Sequence, residues 1–251
     1  MATVLMPLPD RDFDPTETGV PWNTLTAAGH RVVFATPSGK PGAADPRMVT
    51  GVGLGIFAPF MQADALGRAA YASMIATPAF QNPLSYNAIS TADFDALLLP
   101  GGHAKGMRTF LESSLLQSVI AICFEKRQPV GGICHGVLLA ARTRARGGKS
   151  VLHGRKTTGL TRLMELGAWA LTASYLGDYY RTYSTTVEAE VKAALAKPND
   201  FLHGPKGFTR DAPGRLHVGF TVRDGNYLSA RWPGDAHRFA SDFTDMLPPP
   251  Y

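Results

Sequence analysis

Apolar residues in this chain fall into short runs bounded by glycine and proline, and the runs follow two different spacings. Thr3 to Leu8, Arg31 to Thr36 and Phe94 to Leu99 are compact and rich in Val, Leu and Phe. They lack the apolar–polar alternation of a half-exposed strand, so each reads as a strand buried on both faces. Pro129-Val130-Gly131 leading into Gly132-Ile133 is a fourth run of this kind. Between them the apolar spacing widens to three and four. This predicts helices from about Glu17 to Ala28 (ended by Gly29), over Ala63–Ile75, Ser113–Lys126, Val137–Ala141 and Val187–Leu195, and from about Gly234 to Leu247. Pro37 to Gly55 reads as an extended loop, and Lys156–Thr158 as a short strand followed by a further helix. His217–Val222 and Tyr227–Arg231 bracket Asp224-Gly225, a hairpin signal. Strands alternating with helices predict an α/β fold: a mostly parallel sheet, helices on both faces, and one domain over residues 1–251.

Composition narrows the functional classes. At 251 residues and 45% hydrophobic content the chain buries one substantial core and shows no sign of disorder. The net charge of +5 is scattered. Its local clusters, Arg142 to Arg146 and Arg155-Lys156, flank a loop and read as a solvated face. No aromatic-interleaved basic motif points to nucleic acid. The two cysteines, Cys123 and Cys134, support neither a disulfide framework nor a four-ligand zinc cluster, and the histidines lack ligand spacing, so no metal and no cofactor is expected. The N-terminus enters a strand without a signal-peptide pattern, and no apolar run reaches membrane-spanning length. A cytoplasmic, soluble protein with no membrane partner is the expectation.

The chemistry concentrates in Gly132-Ile133-Cys134-His135-Gly136, which reads as strand, sharp turn and helix with a thiol at the turn. A helix N-terminus favours thiolate, which predicts a depressed pKa for Cys134. Cys123, inside the predicted helix Ser113–Lys126 and next to its apolar run from Leu115 to Ile122, is expected to be inert. Gly101-Gly102, after the third strand, offers unobstructed N–H groups that with the N–H of His135 form a candidate oxyanion hole. His135 can act as acid or base, or pack away from the site. Glu17 is either a solvated first-turn residue or a site carboxyl, and beside a negative sulfur it would be held protonated. In an open α/β sheet these features meet at the carboxyl ends of the strands.

Leu99-Pro100-Gly101-Gly102-His103, the Cys134 elbow and Thr16-Glu17-Thr18 before Val20-Pro21 together resemble the ThiJ/PfpI superfamily. The tail from Asp224 through Asp235 is similar to that family's closing hairpin and helix. The resemblance implies a flavodoxin-like three-layer sandwich of the class I glutamine amidotransferase type. The extra length between Pro37 and Asp93 and between Gly147 and Arg215 places the chain nearer the larger chaperone/glyoxalase III branch. It implies Cys134 as the reactive cysteine, His135 as its neighbouring histidine, Glu17 as the carboxyl facing the sulfur, and Gly102 in the oxyanion turn. A third acid orienting the histidine is open between Glu165, Asp178, Asp235 and a partner subunit's carboxylate.

The leading expectation is a cofactor-free enzyme acting through Cys134 on reactive carbonyls, converting methylglyoxal to lactate. A cysteine amidase or peptidase is the alternative within enzymes and needs a carboxylate on the His135 ring. A stress-response holdase or redox sensor, with Cys134 oxidised rather than turning over, is the alternative of another kind. The partner expected is a small-molecule substrate, with room for a homodimer.

Overall fold

The computed structural model describes residues 1–249. Nine strands occur among them: β1 (Thr3–Pro7), β2 (Arg11–Phe13), β3 (Arg31–Thr36), β4 (Ala43–Ala44), β5 (Leu84–Ser85), β6 (Ala96–Leu99), β7 (Val130–Ile133), β8 (Thr221–Asp224) and β9 (Tyr227–Ala230). Seven form one sheet in the order β5-β3-β1-β6-β7-β9-β8. Every pairing in it is parallel except the β8–β9 hairpin. The central strands β3-β1-β6-β7-β9 follow the 2-1-3-4-5 winding of flavodoxin-like folds. β6, β7 and β9 are buried along their whole length because helices cover both faces, which is why their sequences read as continuous apolar runs. One large apolar core runs through the sandwich, and a small satellite cluster gathers around Met48, Leu54 and Tyr180.

Several local expectations change. The first helix begins at Pro15 rather than near Glu17, because Asp14 caps it: Asp14 Oδ1 accepts from the N–H groups of Thr16 (2.8 Å) and Glu17 (3.0 Å). The stretch read as one loop between Pro37 and Gly55 contains β4, which pairs with β2 in a second small sheet, and a short helix over Pro46–Thr50. Lys156–Thr158 is not a strand. It contributes a single bridge, Thr157 to Phe201. The hairpin starts later than expected, since Leu216–Val218 is a 3-10 turn and β8 begins at Thr221. Arg142 is not solvated: its guanidinium grips Glu190 with bonds of 2.6 and 3.0 Å and also donates to the Leu111 carbonyl and the Tyr183 hydroxyl. No single helix among the described residues is long and apolar enough to cross a membrane.

Candidate active site

The carboxyl ends of β1, β6 and β7 deliver the marked residues to one place. Cys134 follows β7 directly and takes φ +57°, a conformation that costs an L-residue energy and is held here by its surroundings. Its own N–H donates to the Ala230 carbonyl at the end of β9 (3.1 Å). On the other side the helix Gly136–Arg142 presses against the end of β6. A Cβ on Gly136 would lie 2.1 Å from the Leu99 carbonyl oxygen, so only glycine allows the turn to close. Gly101 is equally constrained: a Cβ there would meet Glu17 Oε2 at 2.6 Å and the Cys134 Cβ at 2.8 Å. The glycines thus let the acid and the thiol reach each other.

Glu17 is fully buried, and its position comes from a diverted capping arrangement. Asp14, Pro15, Thr16 and Glu17 occupy the N-cap to N3 positions, where a glutamate ordinarily reaches back to the N-cap N–H. Instead the Asp14 N–H donates to the Gly101 carbonyl (2.9 Å), and the Gly101 N–H donates to Glu17 Oε2 (2.9 Å). The loop after β6 has inserted itself between the two capping partners. Glu17 is thereby turned toward the thiol, near enough for each to shift the other's pKa. Its Oε1 has no hydrogen-bond partner. Burial, then the Asp14 carboxyl, push the Glu17 pKa well above its ordinary value, against the opposite pull of the Cys134 thiol and the Gly101 N–H. A protonated Glu17 is a donor to the sulfur.

The expectation of a depressed Cys134 pKa is not met. Burial pushes this thiol well above its ordinary value, the Glu17 and Asp14 carboxyls push it further, and the His135 N–H that bonds the sulfur does not compensate. The helix that follows is only two turns long, so its dipole is outweighed by the loss of water. The His135 ring also reaches the sulfur. Its Nδ1 lies 3.5 Å from Cys134 Sγ, and its Nε2 lies 3.1 Å from the Thr182 hydroxyl. Thr182 Oγ1 donates its single proton to the His103 carbonyl. The Nε2 position must therefore carry the ring proton, leaving an Nδ1 lone pair for the thiol. Burial, then His103 and Arg142, lower the His135 pKa to about 3, so the ring is neutral.

None of the three acids considered for orienting His135 contacts it. Glu165 accepts from the Val187 N–H (2.8 Å) and faces Arg181, Asp178 accepts from Trp169 Nε1 (3.2 Å), and Asp235 is paired with Arg231 (2.8 Å). Thr182 takes the role, and its segment is anchored: Arg108 Nε donates to the Thr182 carbonyl (3.0 Å), and Arg142 packs over the Tyr183 ring. Nothing local in the sequence marks Thr182. Asp14 was also missed, although Asp-Pro-Thr-Glu is a legible capping signature. It is buried beside Glu17, and burial raises its pKa to about 6 against the N–H groups of Glu17 and Thr16.

Cys134, Glu17, Asp14, Gly102 and His103 line the inner end of a cavity of about 910 Å³. His103 stacks on Tyr180 (centroids 4.2 Å apart), and burial lowers its pKa to about 4. The Gly101 N–H is committed to Glu17, so of the expected oxyanion turn Gly102 is the glycine that faces the cavity. No group of three or more His, Cys, Asp or Glu residues among the described residues is arranged to hold a metal ion.

A doubly wound sheet carrying cysteine, carboxyl and imidazole at the ends of adjacent strands defines the class: an α/β protein with a cysteine elbow. More particularly, the chain belongs to the family described as ThiJ/PfpI family-like, whose pattern matches residues 8–205. Among its relatives is a deglycase of Thermococcus kodakarensis, 26% identical over 166 residues, which covers 65% of this chain and 69% of the relative. Among solved structures, glyoxalase III of Candida albicans superposes with a TM-score of 0.72 at 17% identity over 98% of both chains. The rapid encystment protein of Francisella tularensis gives 0.74 at 18% identity over 98% of this chain and 99% of that one. Both structural likenesses establish the fold.

Proposed function

We propose that this protein is a cofactor-free enzyme that uses Cys134 to convert reactive 2-oxoaldehydes into 2-hydroxy acids, methylglyoxal to lactate in the simplest case. The observation that carries the reading is the convergence of the Cys134 thiol, the unprotonated His135 nitrogen and the buried Glu17 carboxyl at the closed end of one cavity. The deglycase relative and the glyoxalase III neighbour support the same carbonyl chemistry.

In the proposed sequence the thiol proton passes to His135 Nδ1 as sulfur attacks the aldehyde carbon, forming the S–C bond of a hemithioacetal. The Gly102 N–H faces the developing alkoxide, while the His135 N–H stays on the sulfur. Glu17 gives its proton to the ketone oxygen and, now a carboxylate, carries the proton of the aldehyde carbon to the adjacent carbon, after which His135 returns the thiol's proton to Glu17. The first carbon is oxidised to a thioester and the second reduced to a carbinol. Water adds to the thioester, the S–C bond breaks, and sulfur recovers its proton. The net change is addition of one water, with no external oxidant or reductant. A neutral imidazole and a protonated carboxyl suit this cycle, because each has one proton to accept or return.

The amidase alternative asked for a carboxylate on the histidine ring. Both ring nitrogens already have partners, Cys134 and Thr182, which leaves no place for one from this chain or another. Lactate formation from methylglyoxal without glutathione tests the proposal. Turnover lost in Cys134→Ala is expected, and turnover retained in that variant overturns it.

A further inference from the structure

Methylglyoxal is a poor match for the space in front of Cys134. By comparison with the ~30 Å³ share of a water molecule, a molecule of five heavy atoms fills roughly 100 Å³, whereas the cavity is about 910 Å³. The remainder is apolar and graded. At the inner end sit the buried Cys134, Glu17 and Tyr180, while the outer wall is built from Phe60, Leu163, Leu171 and Phe208. Those four outer residues are 76%, 66%, 54% and 60% exposed. They come from three separate segments, so their convergence on one opening is a tertiary arrangement and not a run of apolar sequence. Exposed side chains of this size on a continuous wall mark a binding surface, and this wall leads directly to the thiol.

The inner end carries the polar groups. Asp14 and Glu17 are acids, and Arg210 and Arg215 belong to the segment that carries Phe208. Arg210 Nη2 donates to the carbonyls of Phe60 (3.2 Å) and Gln62 (3.1 Å), and its buried Nη1 has no partner. Against the larger effect of burial the guanidinium lowers the Asp14 pKa, so the acids are offset and selection falls on the tail.

We propose that the substrates are 2-oxoaldehydes bearing a long unbranched or aryl apolar tail, with the tail lying along the wall from Met164 to Leu171 and the aldehyde at Cys134. This rests on the reading of Cys134 as the nucleophile and adds the substrate class. Each methylene that leaves water for this wall is expected to raise kcat/KM about fourfold until the tail reaches solvent.

Two measurements separate the inference from the reading beneath it. The first is kcat/KM along an unbranched series from methylglyoxal to a ten-carbon 2-oxoaldehyde, repeated in Leu163→Asp and Leu171→Asp. Both positions are exposed, so the substitutions leave the core untouched. A rise of at least tenfold across the first few members is expected, with the ratio of long to short substrate falling in both variants. The second is calorimetric titration of Cys134→Ala with methyl ketones from acetone to 2-decanone, which reads binding without chemistry. Methylglyoxal turnover with a flat series and no ketone binding overturns the inference and leaves the catalytic reading standing. Ketone binding that tightens with chain length but no turnover of any member overturns the catalytic reading and upholds the cavity's preference for apolar tails. Neither binding nor turnover overturns both.

Discussion

Cys123 and Cys134 are both buried thiols, and in both the loss of water drives the pKa upward, to about 12 for Cys123. Cys123 lies in the helix Ser114–Glu125 on a face that packs with Leu116 and Ile120 into the core. Cys134 has a left-handed backbone, an imidazole 3.5 Å from its sulfur, a carboxyl beside it and a cavity before it. Burial is therefore common to the thiol expected to be inert and the one proposed to react. The difference lies in the groups that can take and return a proton, and in access for a second molecule.

The largest effect separating the two regions comes from removing each sulfur. Cys134→Ala is expected to lower methylglyoxal turnover by roughly 10³-fold or more. Cys123→Ala should leave turnover intact and cost about 1–2 kcal/mol of stability through the small cavity it opens. Steady-state kinetics beside urea unfolding reads both, and equal kinetic losses would erase the distinction drawn between the thiols.

Glu17→Gln comes next. Glutamine keeps a donor toward the sulfur but cannot relay a proton, so turnover should fall by roughly 10²–10³-fold while alkylation by iodoacetamide continues. The labelling itself sharpens the comparison. With burial raising the thiol, the Cys134 rate should keep climbing above the free-cysteine range and show no plateau near neutral pH. Peptide mapping across pH checks this, and a neutral plateau would show that a preformed thiolate exists after all.

Thr182→Val removes the acceptor of the His135 ring proton and should reduce kcat about tenfold, with Thr182→Ser restoring most of it. A merely structural threonine would not shift the pH–rate profile, whereas freeing the tautomer should. A kcat unchanged in the valine variant would remove Thr182 from the site.

The remaining effect is on stability and leaves turnover aside. Asp14 has its pKa raised from 3.8 to about 6, so between those values the folded protein binds more protons than the unfolded chain. Stability from this group is present below the lower value and is lost as pH rises through the upper one, about 3 kcal/mol in all. Asp14→Asn keeps the cap acceptor. It should flatten that slope and be the more stable protein at pH 7, as read from urea midpoints at pH 4, 5, 6 and 7. An unchanged slope would mean that another group titrates there.

The sequence by itself determined that β1, β3, β6, β7 and β9 are strands of a mostly parallel sheet, because they are apolar runs or turn-bounded segments whose signals are local. Their order in the sheet was decided by the packed structure. It also determined the elbow, since the glycine at 136 is required by a contact that any strand–turn–helix of this kind must make. The small β2–β4 sheet was not legible, because strands so short have no period and exist only through each other. The pairing of Arg142 with Glu190, the diversion of Glu17 by the loop after β6 and the replacement of an expected acid by Thr182 were equally out of reach. Each depends on a partner distant in the chain. The thiol's pKa shows the same division most clearly: the sequence announced a helix N-terminus, and only the packed structure revealed how much water the site had lost.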